Sequence, residues 1–324
     1  MTALLVIGAS GFVGRRIVAS AAARGIPVIA GVRRATRDLP QGVEIRSCDA
    51  ADPVQVEAAM RGVSAVVNCV MGPPAAMIAT ARTLSETSLR LGISRFVHFS
   101  SIAVYGDAAG LVREDSPLGA GVDWYGAAKI TCEEVVAATA GRGLSTVILR
   151  PGLIHGPGSA LWTARIGRLL RQRRLGDLGA AGDGWCNLIH VQDVANAALA
   201  AVDAPLSTGG PQIVNLSDRD PPRWNRYLMD FAFRIGATPV RRIPGWQLSL
   251  DRKVFAPPLK VVQIVSGRLG LADGLVPDPI TPGLARLFDQ NVRYCSETAD
   301  RILAFERTPY DRAIQDAASW MMKK

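Results

Sequence analysis

GASGFVG, residues 8–14, is the stretch from which the fold is read. It leaves an apolar run, ALLVIG (3–8), and opens a helical pattern over 12–24. Gly8 permits a tight turn, Gly11 lets the main chain approach a phosphate, and Gly14 lets the helix pack closely on the strand. The helix start presents amides and a positive dipole end to a pyrophosphate, with Ser10, Phe12 and Val13 completing the cradle. A glycine triplet alone also suits a plain structural turn, and the spacing is G-x-x-G-x-x-G rather than G-x-G-x-x-G. Its place at the first strand–helix junction is what favours a nucleotide.

Working outward, short apolar runs alternate with helical patterns. Strands are expected at 3–8, 27–32, 43–48, 65–70, 95–101 and 146–151, and helices near 12–24, 53–61, 74–92 and 125–141. Continuous apolar strands joined by helices specify a parallel sheet covered on both faces. After residue 152 the rhythm breaks into Gly- and Pro-rich connections, with two more strands expected at 186–191 and 212–217. From Pro221 the pattern is mainly helical. The expectation is an α/β chain: a Rossmann-type doubly wound parallel sheet with a smaller, mostly helical C-terminal substrate domain. The dinucleotide-binding domain would comprise 1–151 and 186–217, interleaved with a substrate domain of 152–185 and 218–324.

The second strand ends in VRR (32–34), where an acid for the ribose 2′-hydroxyl would mark NAD. Arg33 and Arg34 would instead attract a 2′-phosphate through charge-assisted bonds, with Arg15 and Arg37 as helpers. An exposed basic loop is the simpler alternative. NADP(H) is therefore the expected cofactor, with NAD(H) second. Asp49, after the third strand, is placed either to meet the adenine edge or to serve as a turn carboxylate.

Several classes are disfavoured. No apolar run approaches the ~18 residues of a membrane span. The N-terminus runs straight into a strand without a basic leader. The 5 cysteines are scattered, which suits a reducing cytoplasm rather than a disulfide framework. The 3 histidines lie far apart, and no metal site is expected. A net charge of +9 invites a nucleic-acid reading, but aromatic content is 6% and no nucleic-acid-binding motif appears. The basic stretch ARIGRLLRQRRLG (164–176) reads as an amphipathic helix with a solvated face.

DWYGAAK (123–129) places Tyr125 and Lys129 one helical turn apart. A phenol with a pKa near ~10 is a weak base, and a neighbouring ammonium would favour its ionised form. Such a pair can exchange a proton with an alcohol or carbonyl. With GASGFVG, the pair joins SSIAVYG (100–106), LRPGLIHGPG (149–158), LIHVQDVA (188–195) and YCSETADRILAF (294–305), in that order. Together they resemble the extended short-chain dehydrogenase/reductase superfamily over essentially the whole chain. The resemblance implies that Tyr125 is the general acid/base and that Lys129 also bonds the nicotinamide ribose. Ser101, a better match than Ser100, would polarise the substrate oxygen, and Pro151 would join the cofactor site. His98 and His190 are expected to be structural, whereas His155 replaces a frequent tyrosine and could line the pocket.

Sugar-nucleotide enzymes of the superfamily commonly carry an asparagine where this chain has Leu153 and an arginine where it has Cys186. Losing both removes an amide and a cation from a diphosphate grip, although Arg165 or Arg168 could substitute. The aliphatic stretch 253–277 suits an apolar pocket wall or ordinary packing. The glycine loop and VRR are more similar to the dihydroflavonol reductase and 3β-hydroxysteroid dehydrogenase branch. The resemblance also implies a homodimer through helices near 74–92 and 125–141. The expectation is thus a cytoplasmic NADP(H)-preferring enzyme interconverting a ketone or aldehyde with an alcohol on a small or medium apolar substrate. The alternatives are an NAD-dependent nucleotide-sugar epimerase/dehydratase and a non-catalytic nucleotide sensor.

Overall fold

In the computed structural model, residues 3–34, 36, 38–206, 209–250 and 278–323 are described. Seven strands form one parallel sheet: β1 (Ala3–Ile7), β2 (Val28–Val32), β3 (Glu44–Ser47), β4 (Val63–Asn68), β5 (Arg95–Phe99), β6 (Thr146–Pro151) and β7 (Gln212–Leu216). Their order is β7-β6-β5-β4-β1-β2-β3. The chain starts at β1, builds outward to β3, then crosses back to β4. That reversal makes a crevice between the carboxyl ends of β1 and β4, where such sheets bind ligands. Central strands are almost wholly buried, as in β1, β2 and β6, because helices cover both faces.

One face is packed by α2 (Pro53–Ala59), α3 (Pro74–Arg90) and α4 (Trp124–Ala140). Val56, Met77, Leu84, Cys132 and Val136 meet Leu5, Val66, Phe96 and Ile148 in one apolar cluster. The other face carries α1 (Phe12–Ala23), whose buried Gly14, Ile17, Val18 and Ala21 recur at helical spacing, together with α5 (Val191–Asp203). The four helices expected in the first half are found within a residue or two, whereas the helix expected over 164–176 is α-helical only over Ile166–Arg171. Cys186–Val191 is corrected: only Leu188–His190 is extended, outside the seven-stranded sheet, and Val191 begins α5.

The chain forms two compact units. The first comprises Met1–Gly152, Ile189–Arg219 and Tyr294–Thr308, and the second Leu153–Leu188, Asp220–Arg293 and Pro309–Lys324. The second unit has its own core around Trp224, Tyr227, Phe231, Phe288, Ile314 and Leu169. Its basic stretch is not simply a solvated face. Ile166, Leu169 and Leu170 are buried. Arg165 donates to Pro279 O at 2.5 Å, Arg168 to Asp278 at 2.6 Å, and Arg174 to Asp278 O at 2.6 Å. Residues 253–277, read above as apolar wall, lie outside the described residues.

Candidate active site

The glycine loop closes the carboxyl end of β1. Gly8 has φ +82°, and a Cβ there would stand 3.1 Å from the Cys69 carbonyl. A Cβ on Gly14 would come 2.3 Å from Gly8 O, an overlap that only glycine avoids. Gly11 needs no unusual φ: it stands at the head of α1, where a Cβ would lie 3.2 Å from Gly8 O. Its amide is used internally, donating to Gly8 O at 2.9 Å. No side chain caps α1, so the first-turn amides of Phe12, Val13 and Gly14 have no intrahelical acceptor. Ser10 and Gly11 are exposed beside them. A pyrophosphate fits this cradle: close backbone, uncapped amides and a positive helix end.

Arg33 and Arg34 follow the last residue of β2 and are both exposed. Among the described residues neither guanidinium has a hydrogen bond or ion-pair partner, which leaves both able to meet an anion. Arg15 does not join them freely, because it pairs with Asp38 at 2.9 Å. Arg37 lies outside the described residues. Asp49 has one carboxylate oxygen engaged in its own turn. It accepts from Ala51 N at 3.1 Å, while its own amide donates to Gln55 at 3.0 Å.

Tyr125 and Lys129 project from the first two turns of α4. The helix begins there because the Asp123 carboxylate accepts from Tyr125 N at 3.0 Å and Gly126 N at 2.9 Å. Ser101 follows β5 in an extended conformation and caps the single turn Ile102–Tyr105, accepting from Ala103 N at 3.1 Å. Its hydroxyl stands close enough to the Tyr125 phenol to lower that phenol's pKa. Lys129 is 2% exposed, donates to Phe99 O at 2.7 Å, and stands 5.8 Å from the centre of the Tyr125 ring. The structure thus brings Ser101, Tyr125 and Lys129 together at the carboxyl end of β5, next to the β1/β4 crevice. Ser100 points elsewhere, donating to Glu133.

Burial governs the protonation states. It pushes the Tyr125 phenol above its ordinary range, and the nearby Ser101 hydroxyl offsets only part of that. Burial also pulls the Lys129 ammonium down, while Cys132, Cys69 and Glu133 pull it back up. Burial thus disfavours the phenolate that the Lys129 charge would favour. The reason is that desolvation penalises a buried phenolate more than its neighbours stabilise it.

Pro151 ends β6, fully within the sheet. His98 is buried in β5, with its Nδ1 3.1 Å from Asn68 Nδ2, and burial followed by the Lys129 charge lowers its pKa well below the ordinary value. It is a neutral structural histidine. His190 is buried at the start of α5. His155 is fully buried in the second unit, with its ring edge-on to Tyr227 at 6.3 Å. Leu153 and Cys186 also belong to that unit's apolar core.

The sequence reading missed two groups that bond the elements carrying these residues, Asp123 and Phe99 O, and a buried pair behind them, Glu133 and Arg150. Asp123 was legible as an acidic residue just before a helix start. The partnership of Glu133 with Arg150, 17 residues apart, had no local signal. Among the described residues no cluster of His, Cys, Asp or Glu could hold a metal ion. No described helix is long and apolar enough to cross a membrane.

The model of the NAD dependent epimerase/dehydratase family matches residues 4–217. A 3-diazoavenalumate denitrifying reductase from a Streptomyces species is 31% identical over 266 residues, spanning 75% of this chain and 84% of its own. A 2-alkyl-3-oxoalkanoate reductase from Stenotrophomonas maltophilia (strain K279a) is 33% identical over 213 residues, 61% of this chain and 63% of its own. A UDP-glucose 4-epimerase from Thermotoga maritima, solved with UDP-glucose, superposes with a TM-score of 0.73 over 99% of this chain and 98% of that one, at 17% identity, a likeness of fold. This chain belongs to the NAD dependent epimerase/dehydratase family, and it is an NAD(P)-dependent oxidoreductase of the extended short-chain dehydrogenase/reductase type.

Proposed function

We propose that the protein is an NADP(H)-preferring carbonyl reductase/alcohol dehydrogenase acting on a small or medium apolar substrate. The observation that carries this reading is the meeting of Ser101, Tyr125 and Lys129 beside the glycine-lined crevice. When bound, the nicotinamide supplies or accepts the hydride. Ser101 holds the substrate oxygen by a hydrogen bond. Tyr125, protonated at rest, gives its proton to that oxygen during reduction and takes it back during oxidation. Lys129, fixed by Phe99 O, has two ammonium hydrogens left to bond the cofactor ribose and to stabilise the phenolate as it forms. Gly8, Gly11, Gly14 and the first-turn amides of α1 would hold the pyrophosphate, Pro151 would border the nicotinamide, and Asp49 would stand near the adenine.

Arg33 and Arg34 support NADP(H), because two exposed guanidinium groups suit a dianionic 2′-phosphate. Leu153 and Cys186 support an apolar substrate over a nucleotide sugar. Both side chains are committed to an apolar core, and the arginines that could replace the lost cation, Arg165 and Arg168, are engaged with Pro279 and Asp278. Trp124, 63% exposed with its ring edge-on to Tyr125 at 5.9 Å, offers an apolar surface beside the reacting hydroxyl. The two named reductases among the relatives agree with the reaction class. The reading includes a cytoplasmic homodimer paired through α3 and α4.

The test is to denature freshly purified protein, identify any released nucleotide, and titrate the emptied protein with NADPH and NADH. An empty site that binds NADPH at least ~10-fold more tightly supports the proposal. Tightly retained NAD(H) without an NADPH preference would replace it with the epimerase reading, in which the cofactor is recycled in place.

A further inference from the structure

Behind the triad lies a buried ion pair that the chemistry above does not use. Arg150, at the end of β6, donates to Glu133 through Nε at 2.8 Å and Nη2 at 2.5 Å, and the two side chains are 2% and 7% exposed. Glu133 sits on α4 four residues after Lys129 and eight after Tyr125, on the same helical face. Of the pair's remaining bonds, one goes from Arg150 Nη1 to the Glu114 carbonyl at 3.1 Å and the others reach the loop that carries Ser101. Ser100 donates its hydroxyl to Glu133. Arg150 Nη1 donates to the Tyr105 hydroxyl at 2.7 Å, and that hydroxyl donates to Asn215 at 2.7 Å. The Arg150 guanidinium also lies 4.9 Å from the centre of the Tyr105 ring. The turn beginning at Ser101 is thus tied on both sides, through Ser100 before it and Tyr105 at its end.

We propose that Glu133 and Arg150 are positioning residues for the proton-handling site: as a pair they staple the Ser100–Tyr105 turn to helix α4, and so set the distance from Ser101 to Tyr125 and Lys129. This rests on the reading of those three residues as the reacting set. Stability alone does not explain the pair, because a buried ion pair is often no more stabilising than apolar side chains of equal volume. A positional role does explain why two of its bonds go to the two ends of one short turn. Glu133 also faces Lys129 electrostatically. The other groups around that ammonium are the Tyr125 ring, Cys132, Cys69, His98 and the Phe99 carbonyl. Glu133 is the carboxylate among them.

The variants are Glu133→Gln, which keeps the shape and removes the charge, and the apolar double replacement Glu133→Leu/Arg150→Met. Four readouts are taken: melting temperature, NADPH affinity, kcat and KM for reduction of para-nitrobenzaldehyde, and the titration of Tyr125 followed by NMR with isotope-labelled tyrosine Cζ, assigned through Tyr125→Phe. The double variant is expected to fold and bind NADPH within about threefold of the parent, while kcat falls by roughly 100-fold with KM little changed, the cost of a misplacement near 1 Å. The Tyr125 titration is expected to move by about one pH unit, and by less in Glu133→Gln. A folded double variant with unchanged kcat and an unchanged Tyr125 titration would overturn the proposal. If the double variant does not fold, Glu133→Gln decides on the same two readouts. If the parent does not reduce the aldehyde, the functional reading is at fault for that substrate class, and the Tyr125 titration still decides the positional claim.

Discussion

At the scale of single residues, charge and burial oppose each other at the same few atoms. Lys129 stands near Tyr125, yet burial raises the phenol's pKa. The sign follows directly. A pKa above the ordinary ~10 leaves the acid form in place at neutral pH, so carbonyl reduction starts with its proton donor loaded. In the emptied protein Tyr125 is expected to ionise above the ordinary phenol range, measured as the ultraviolet difference between parent and Tyr125→Phe. Ionisation near neutrality would contradict this. At the other end of the cofactor, Arg33→Glu places an acid where the 2′-phosphate would lie. Its expected effect is a loss of NADPH affinity of ~10-fold or more with little change for NADH, checked by fluorescence titration. The glycine loop, Tyr125 and Lys129 were legible as residue types at fixed spacing, and Ser101 only through the family resemblance. The protonation state was not, since it depends on how many atoms shield the phenol from water.

At the scale of elements, the first-half strands and helices were readable because each is a local apolar pattern bounded by turn residues. The Cys186–Val191 stretch misled because an apolar run suits a strand or a helix start equally, and Val191 opens α5. The arginines around residues 165–174 misled for another reason. Their partners, Asp278 and Pro279, lie over 100 residues away. Asp123→Ala removes the cap of α4 and is expected to cost about 1 kcal/mol of stability, read from denaturant unfolding, with loosened placement of Tyr125 seen as reduced turnover. Gly14→Ala forces a methyl to 2.3 Å from Gly8 O, so nucleotide binding is expected to fall sharply even where the protein still folds, checked by NADPH titration.

Across the whole molecule, chain segments distant in sequence complete the first unit. Asp193 of α5 accepts from Thr308 N at 2.9 Å and Thr308 Oγ1 at 2.6 Å, while Arg307 donates to Ser217 O at 2.6 Å. Asp218 is beside them, and burial, with Asp193 adding to it, pushes its pKa to about 7. The native state therefore holds a proton on Asp218 that the unfolded chain releases near pH 4, and this group's contribution to stability declines as pH rises between those values. Asp218→Asn is expected to stabilise the protein by roughly 2 kcal/mol more at pH 8 than at pH 5, read from melting curves at both. An equal effect at both pH values would contradict the assignment. None of this was visible in sequence, because the ties span about 100 residues and burial decides the sign.

The central claim is that Tyr125 moves the proton in a nicotinamide-dependent carbonyl reduction. Its most direct measurement is single-turnover oxidation of NADPH by parent and Tyr125→Phe protein, using an aromatic aldehyde and followed by loss of nicotinamide absorbance, with NADPH affinity measured on the same samples. The account predicts that the variant binds NADPH as the parent does and loses ~100-fold or more of the rate. Equal rates in the two proteins, at equal NADPH occupancy, would contradict it.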